Sequence, residues 1–256
     1  MIAIGCDVGS LFAKAVVMDG DKLLASRIAR TTGNVASELE DLLSAVVSDA
    51  GASRNKVERL VATGAGADLV PGADLCEDGV ACVAAAAAYY LPDVQLAIDI
   101  GGQSITALLL DPDGDVVNFM RNDKCASGSG RFLEMMSEKL NLDVSEVDRE
   151  TAAAKGPVEL TAQCGVFAES EVITHVNAGA SRPDVMAGVC AAVAKIVVAQ
   201  GRRFGSAGHY TLTGGVARTQ AVTRIIRQKL PGTFHQFPFD PQLAAAIGAA
   251  LLADTD

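Results

Sequence analysis

Ile2-Ala3-Ile4-Gly5-Cys6-Asp7-Val8-Gly9-Ser10 near the start of the chain, and Leu96-Ala97-Ile98-Asp99-Ile100-Gly101-Gly102-Gln103 further on, are two copies of one pattern. In each, a short apolar strand ends on an aspartate and breaks at once into a glycine turn. Each copy continues with a second apolar run, residues 13–18 and 105–110, closed by the turns Asp19-Gly20-Asp21 and Asp111-Pro112-Asp113-Gly114. Twelve positions separate the strand-end aspartate from the turn aspartate in both copies, 7 to 19 and 99 to 111. A third short strand follows, over 22–25 and 116–119. Agreement in residue type, spacing and turn chemistry together marks an internal duplication.

Helices come after each hairpin. Val35, Leu39, Leu42, Leu43, Val46 and Val47 recur at helical spacing between an Asn34 cap and Gly51. A strand over 59–62 meets the turn Thr63-Gly64-Ala65-Gly66, and a second helix is predicted over 79–90. In the second copy helices are predicted near 129–141, 168–178 and 184–204, the last with Pro183 in its first turn. The apolar strand Tyr210-Thr211-Leu212-Thr213 leads through Gly214-Gly215 into a helix over 217–230, and a final helix covers 241–253. The expected fold is α/β, with two facing strand-hairpin-helix lobes: residues 1–92 with 241–256, and residues 93–240.

Half of the 256 residues are apolar, enough for a substantial core. Thirty-one acidic against twenty-one basic side chains give a net charge of -10, and no basic stretch exceeds Arg202-Arg203, so nucleic acid is not an expected partner. The opening residues show no charged leader ahead of an apolar core. No apolar run approaches membrane-spanning length, the Ala-rich 80–91 segment being too short, so a cytoplasmic protein with no membrane partner is expected.

A strand-end carboxylate beside the free N–H groups of a glycine turn suits a magnesium nucleotide. Asp7 and Asp99 are expected to face each other across a cleft, holding Mg2+ largely through water and orienting the attacking water. Gly9, Ser10, Gly101 and Gly102 are expected to offer N–H groups to phosphate oxygens, and Lys14 to neutralise the charge developing there. A lone Asp-x-Gly most often marks an ordinary turn, whereas two in register within duplicated hairpins point to a site. Between a buried strand and a helix, Thr213-Gly214-Gly215-Val216-Ala217 lets backbone approach a planar ligand, and Gly214 and Gly215 are read as an adenosine contact.

These motifs resemble the superfamily of sugar and acetate kinases, heat-shock chaperone ATPases and actin. Asp7 to Ser10 corresponds to its first phosphate loop, Asp99 to Gln103 to its second, and Thr213-Gly214-Gly215 to its adenosine loop. The resemblance implies two actin- or sugar-kinase-like lobes closing over ATP, with Gln103 among the binding residues and the C-terminal helix packed back on the first lobe.

Six cysteines stand at 6, 76, 82, 125, 164 and 190, with no CxxC pair. Taken singly, a cysteine is more often a small buried apolar residue than a ligand. That reading suits Cys6 in a strand and Cys190 on an Ala/Val helix, and Cys76 and Cys82 lack a further ligand partner in sequence. Cys125 and Cys164 differ, because each lies just ahead of a predicted helix, where thiolate and cluster sulfide are favoured. The segments Asn122-Asp123-Lys124-Cys125-Ala126-Ser127-Gly128-Ser129-Gly130-Arg131-Phe132 and Gln163-Cys164-Gly165-Val166-Phe167-Ala168-Glu169-Ser170-Glu171-Val172 closely resemble the ATPase activators of 2-hydroxyacyl-CoA dehydratases and related subunits of benzoyl-CoA reductases.

That resemblance implies an ATPase coupled to low-potential electron transfer, with Cys125 and Cys164 of each protomer holding one 4Fe-4S cluster at a two-fold interface. Four thiolates for a cubane, two from each copy, agree with such an axis. The implied partners are a second copy or a paralogue, ferredoxin or flavodoxin as electron donor, and an iron-sulfur acyl-CoA dehydratase or reductase as acceptor. Ser104 and Thr106 stand where the family usually carries an aspartate and a lysine, and Ala65 and Ala67 where it commonly carries an aromatic residue and an arginine. Two other functions fit the same fold. A small-molecule kinase of amino-sugar type needs a catalytic base in the cleft and leaves Cys125 and Cys164 without a purpose; a non-enzymatic ATP-binding regulator needs neither.

Overall fold

The computed structural model describes residues 1–32, 34–122, 127–161, 164–205 and 208–254. The first copy of the duplicated pattern forms the hairpin strands β1 (Ile2–Val8), β2 (Phe12–Asp19) and β3 (Lys22–Arg30), then α1 (Val35–Asp49), β4 (Arg59–Thr63), β5 (Leu75–Glu77) and α2 (Gly79–Tyr90). The second forms β6 (Leu96–Ile100), β7 (Ile105–Leu110) and β8 (Val116–Asn122). It continues through α3 (Gly130–Lys139), α4 (Val147–Thr151), α5 (Gly165–Asn177), α6 (Arg182–Gly201), β9 (His209–Thr213), α7 (Gln220–Lys229) and β10 (Thr233–His235) to α8 (Ala244–Leu251).

The duplication extends to topology. One sheet has the order β3-β2-β1-β4-β5 and the other, read from its far edge, β8-β7-β6-β9-β10. In both, an antiparallel three-strand meander is joined by its first strand to two parallel strands. Central strands β1 and β6 are apolar on both faces because helices cover both sides of each sheet. Leu39, Leu42, Leu43 and Val46 of α1 fill one face of the first sheet, and α8 fills the other. On the second sheet α6 lies over one face, while Val80, Val83, Ala84 and Ala87 of α2 meet Ala97, Leu108 and Leu110 on the other.

The small residues of α2 and α8 have a steric cause. A Cβ on Gly5 would come 1.8 Å from Ala246 O, and one on Gly248 would come 1.7 Å from Cys82 O, so β1, α8 and α2 approach backbone to backbone. α8 is thereby stacked on β1, at the other end of the sequence.

Several expectations are corrected. The third hairpin strands run on to Arg30 and Asn122 because the meander pairing continues. β5 and β10 hold three residues each, too few for a periodicity, and exist through parallel pairing to β4 and β9. α4 was not expected, and α7 starts at Gln220 because Gly215–Arg218 forms a 3-10 turn. Asn34 makes no side-chain cap bond; Glu38 reaches back from the first turn to Thr32 N at 3.0 Å. Arg182–Phe204 does have the length and composition of a membrane span, contrary to the expectation that no run approaches it. Most of this segment is buried, with Val185, Met186, Val189, Val193 and Val197 inside the second core.

Candidate functional site

Asp7 lies near the end of β1 and is buried, paired in register with Lys14 on β2. Lys14 Nζ is 2.5 Å from Asp7 Oδ2 and donates to Phe12 O at 3.2 Å, so hairpin geometry alone couples the first carboxylate to a cation. The turn after β4 is shaped around the same group. Gly64 has φ +88°, and a Cβ there would fall 2.4 Å from Asp7 Oδ1.

Asp99 occupies the matching place on β6, and Thr213 Oγ1 at the end of β9 donates to its Oδ1 at 2.9 Å. Burial is the main force raising the Asp99 carboxyl pKa; the Thr213 hydrogen bond opposes it, the charge of Asp7 adds to it, and Lys14 and Arg121 pull it down. Gly214, at φ +84°, follows Thr213 directly, and a Cβ there would collide with the Ile100 backbone at 2.5 Å. Two facing carboxylates at the ends of duplicated strands are oxygen donors suited to a hard divalent cation.

The glycine turns meet across the gap. A Cβ on Gly102 would lie 2.7 Å from Ser10 Oγ. Gly9 and Gly101, expected to offer their N–H groups to a ligand, here donate to Phe12 O and Ser104 O at 3.0 and 2.9 Å. Among the described residues the N–H groups of Ser10 and Gly102 have no backbone acceptor. The carbonyls of Gly101 and Gly102 accept from Gly130 N at 2.9 Å and Arg131 N at 2.8 Å, which fastens the second turn to the first turn of α3.

All ten residues singled out for ATP, Asp7 through Gly215, line the same cavity of about 780 Å³, with walls from both sheets. Asp78, Arg121, Glu134, Arg218 and Gln242 line it too. They belong to no glycine motif and are isolated in sequence, so only the chain path brings them there.

The cysteines divide by environment. Cys6, Cys82 and Cys190 are buried, and burial first of all pushes each thiol up to about 12. Cys76 and Cys164 are exposed. Cys164 is the N-cap residue of α5, followed by the strongly exposed Val166 and Phe167. Cys125 lies outside the described residues. A Cβ on Gly165, next to Cys164, would lie 3.3 Å from Ser127 Oγ, two positions after Cys125, so the chain leaving one cysteine meets the chain leaving the other. The Ser127 hydroxyl is buried without a hydrogen-bond partner among the described residues. An exposed thiol at a helix mouth, with a second cysteine close in the chain to its neighbour, fits the soft donor set of an iron-sulfur cluster. Among the described residues no group of three or more His, Cys, Asp or Glu side chains is placed to hold a metal ion.

Two sheets of one topology, each placing a carboxylate on a shared cleft, define an α/β protein of the actin and sugar-kinase type. A ROK family glucokinase from Streptomyces griseus in complex with glucose and AMPPNP has the same fold, with TM-score 0.63 and 15% identity over 100% of both chains. The chain belongs to the BadF/BadG/BcrA/BcrD ATPase family, whose sequence pattern matches residues 4–253. It is similar to the 2-hydroxyisocaproyl-CoA dehydratase activator of Clostridioides difficile, at 35% identity over 255 residues, 99% of this chain and 95% of that protein. The solved structure of the activator of the 2-hydroxyisocaproyl-CoA dehydratase from Clostridium difficile with bound ADPNP superposes with TM-score 0.93 at 34% identity, covering 99% of this chain and 94% of that one.

Proposed function

We propose that this protein hydrolyses ATP to drive single electrons from a 4Fe-4S cluster, shared between two protomers, into an acyl-CoA dehydratase or a benzoyl-CoA reductase type of enzyme. The observation that carries the reading is the shared wiring of the two sites: the Gly101-Gly102 turn of the cleft is hydrogen-bonded to the start of α3, and the chain entering α3 lies against Gly165, beside Cys164. The family membership and the similarity to a dehydratase activator support it.

In this reading Asp7 and Asp99 hold Mg2+ and orient the water that attacks the terminal phosphate, releasing ADP and phosphate. Lys14 neutralises charge on the phosphates, and the free N–H groups of Ser10 and Gly102 bind their oxygens. Gly214 and Gly215 give the adenosine its approach. Residues 1–92 with 241–256 and residues 93–240 act as lobes whose relative position depends on the nucleotide, because a ligand touching both biases one arrangement. Cys125 and Cys164 of each protomer hold the cluster. Held by these thiolates, a 4Fe-4S cluster would supply single-electron chemistry between ferredoxin or flavodoxin and the acceptor.

The test is anaerobic protein assayed for iron, sulfide and ATP turnover, in the parental form and as Asp7→Asn and Asp99→Asn. Four irons per dimer, with turnover lowered at least about a hundredfold in both variants and iron unchanged, is the expected result. Parental turnover in both variants removes the nucleotide assignment, and iron-free parental protein removes the electron donor.

A further inference from the structure

Strand register carries the internal duplication one step beyond the glycine motifs. Asp7 is followed seven residues later by Lys14, its cross-strand partner, and Asp99 is followed seven residues later by Thr106, its cross-strand partner. The second lobe thus lacks a cation where the first lobe has one. On the next strand the relation inverts: Lys14 pairs with Ile28 on β3, whereas Thr106 pairs with Arg121 on β8. Directly opposed residues on adjacent strands share a face, so Asp99, Thr106 and Arg121 form one row toward the cleft as Asp7, Lys14 and Ile28 do in the first sheet.

The side chains follow that row. Arg121 Nε donates to Thr106 Oγ1 at 3.4 Å, and Arg121 lines the same cavity as Asp7, Lys14 and Asp99. A short threonine leaves room for the long arginine beside it to reach over. On the opposite wall Arg121 Nη2 lies 3.6 Å from Oδ1 of Asp78, whose carboxylate already accepts from Val80 N at the start of α2. That contact is long and its Asp78 side is exposed, so a phosphate offering charge-assisted bidentate hydrogen bonds competes well for the guanidinium.

We propose that Arg121 is the second-lobe counterpart of Lys14, a phosphate-binding guanidinium that holds the terminal phosphates of the nucleotide from the side opposite Lys14. The proposal rests on the nucleotide reading of the cleft. It also names a physical link, since β8 ends one residue after Arg121 and the chain reaches Cys125 three positions later. Exchange of Asp78 for a phosphate at Arg121 acts on the strand that leads into the cysteine segment.

Binding of AMP, ADP and a non-hydrolysable ATP analogue, measured by calorimetry with Mg2+ present, decides the matter in four proteins: parental, Arg121→Ala, Arg121→Lys, and Arg121→Ala with Thr106→Lys. Arg121→Ala is expected to weaken the triphosphate analogue by about tenfold or more while changing AMP less than about twofold, with Arg121→Lys in between. Thr106→Lys, which rebuilds the cation at the duplicated position, is expected to recover most of the loss. Tight parental binding left unchanged by Arg121→Ala overturns the role of Arg121 and leaves the cleft reading standing. Equal losses for AMP and the analogue, with a fall in Tm and no recovery by Thr106→Lys, mark Arg121 as structural and overturn it as well. A parental protein that binds none of the three nucleotides overturns the cleft reading and this inference together.

Discussion

Arg30 and Glu134 form a two-pronged ion pair across the cleft, Nη1 to Oε1 at 2.9 Å and Nη2 to Oε2 at 3.2 Å. Arg30 ends β3 in the first sheet, and Glu134 is buried on α3, whose first turn holds the Gly101-Gly102 carbonyls. The pair therefore ties one sheet to the helix that follows the Cys125 segment. Arg131 also reaches Glu134, at 3.4 Å, and Arg30 lies over the Phe12 ring.

In the proposed two-lobe reading, loss of that tie is expected to favour separation of the lobes. Because Arg30 is half exposed its pair is screened, and Arg30→Ala is expected to cost roughly 0.5–1 kcal/mol of closure, a two- to fivefold loss of affinity for a non-hydrolysable ATP analogue. Calorimetry on Arg30→Ala, Glu134→Gln and the double variant measures it. Losses that simply add in the double variant mean that the two residues do not act as a pair.

Close backbone contact predicts a different kind of failure. Gly5→Ala and Gly248→Ala force a methyl into Ala246 O and Cys82 O, so each is expected to lower unfolding free energy by more than about 2 kcal/mol or to give insoluble protein. Gly156→Ala, with nothing within 4 Å of its new Cβ, is expected within about 0.5 kcal/mol of the parent. Urea denaturation of the three variants checks both statements.

Asp99 predicts a pH dependence. Burial raises its folded-state pKa, so the folded protein holds the proton more tightly than the unfolded chain. The stability linked to the neutral form is fully present below the unfolded carboxylate pKa and is lost as pH rises through the raised folded value. Asp99→Asn keeps an acceptor for Thr213 and carries no charge. Without nucleotide or Mg2+, its unfolding free energy is expected to exceed that of the parent at pH 7, with the gap closing toward about pH 4. A gap that stays constant across this range contradicts the assignment.

The thiols predict a labelling pattern. At pH 8 iodoacetamide should modify Cys76 and Cys164 in the native metal-free protein and spare Cys6, Cys82 and Cys190, whose thiols burial holds near 12. After denaturation all should react. Mass spectrometry of peptides reads the pattern, and Cys190 labelling as fast as Cys76 counts against it. In the same anaerobic preparations Cys164→Ser and Cys125→Ser are expected to lose iron and sulfide while Cys76→Ser keeps both.

Much of the cleft was legible because hairpins are local. Asp7 and Lys14, or Asp99 and the Gly101-Gly102 turn, stand within a few residues of one another, so strand register follows from apolar alternation and turn chemistry, and repetition of the spacing revealed a second copy. The helices that follow the two cysteine segments were legible for a similar reason, α3 and α5 starting at Gly130 and Gly165. What sequence could not supply is everything that depends on which element lands beside which. β5 and β10 are strands only because β4 and β9 lie next to them, and the N–H groups of Gly9 and Gly101 are committed by the turn conformation actually adopted. Glu134 meets Arg30, and Arg121 completes a row begun by Asp99, through contacts between residues far apart in the chain or on neighbouring strands. Local patterns determine strands, turns and their duplication, since the energies behind them act over a few residues. The partners of an isolated charged side chain are decided by how the two sheets and their helices close, because an ion pair depends on distance in space and leaves no period in the sequence.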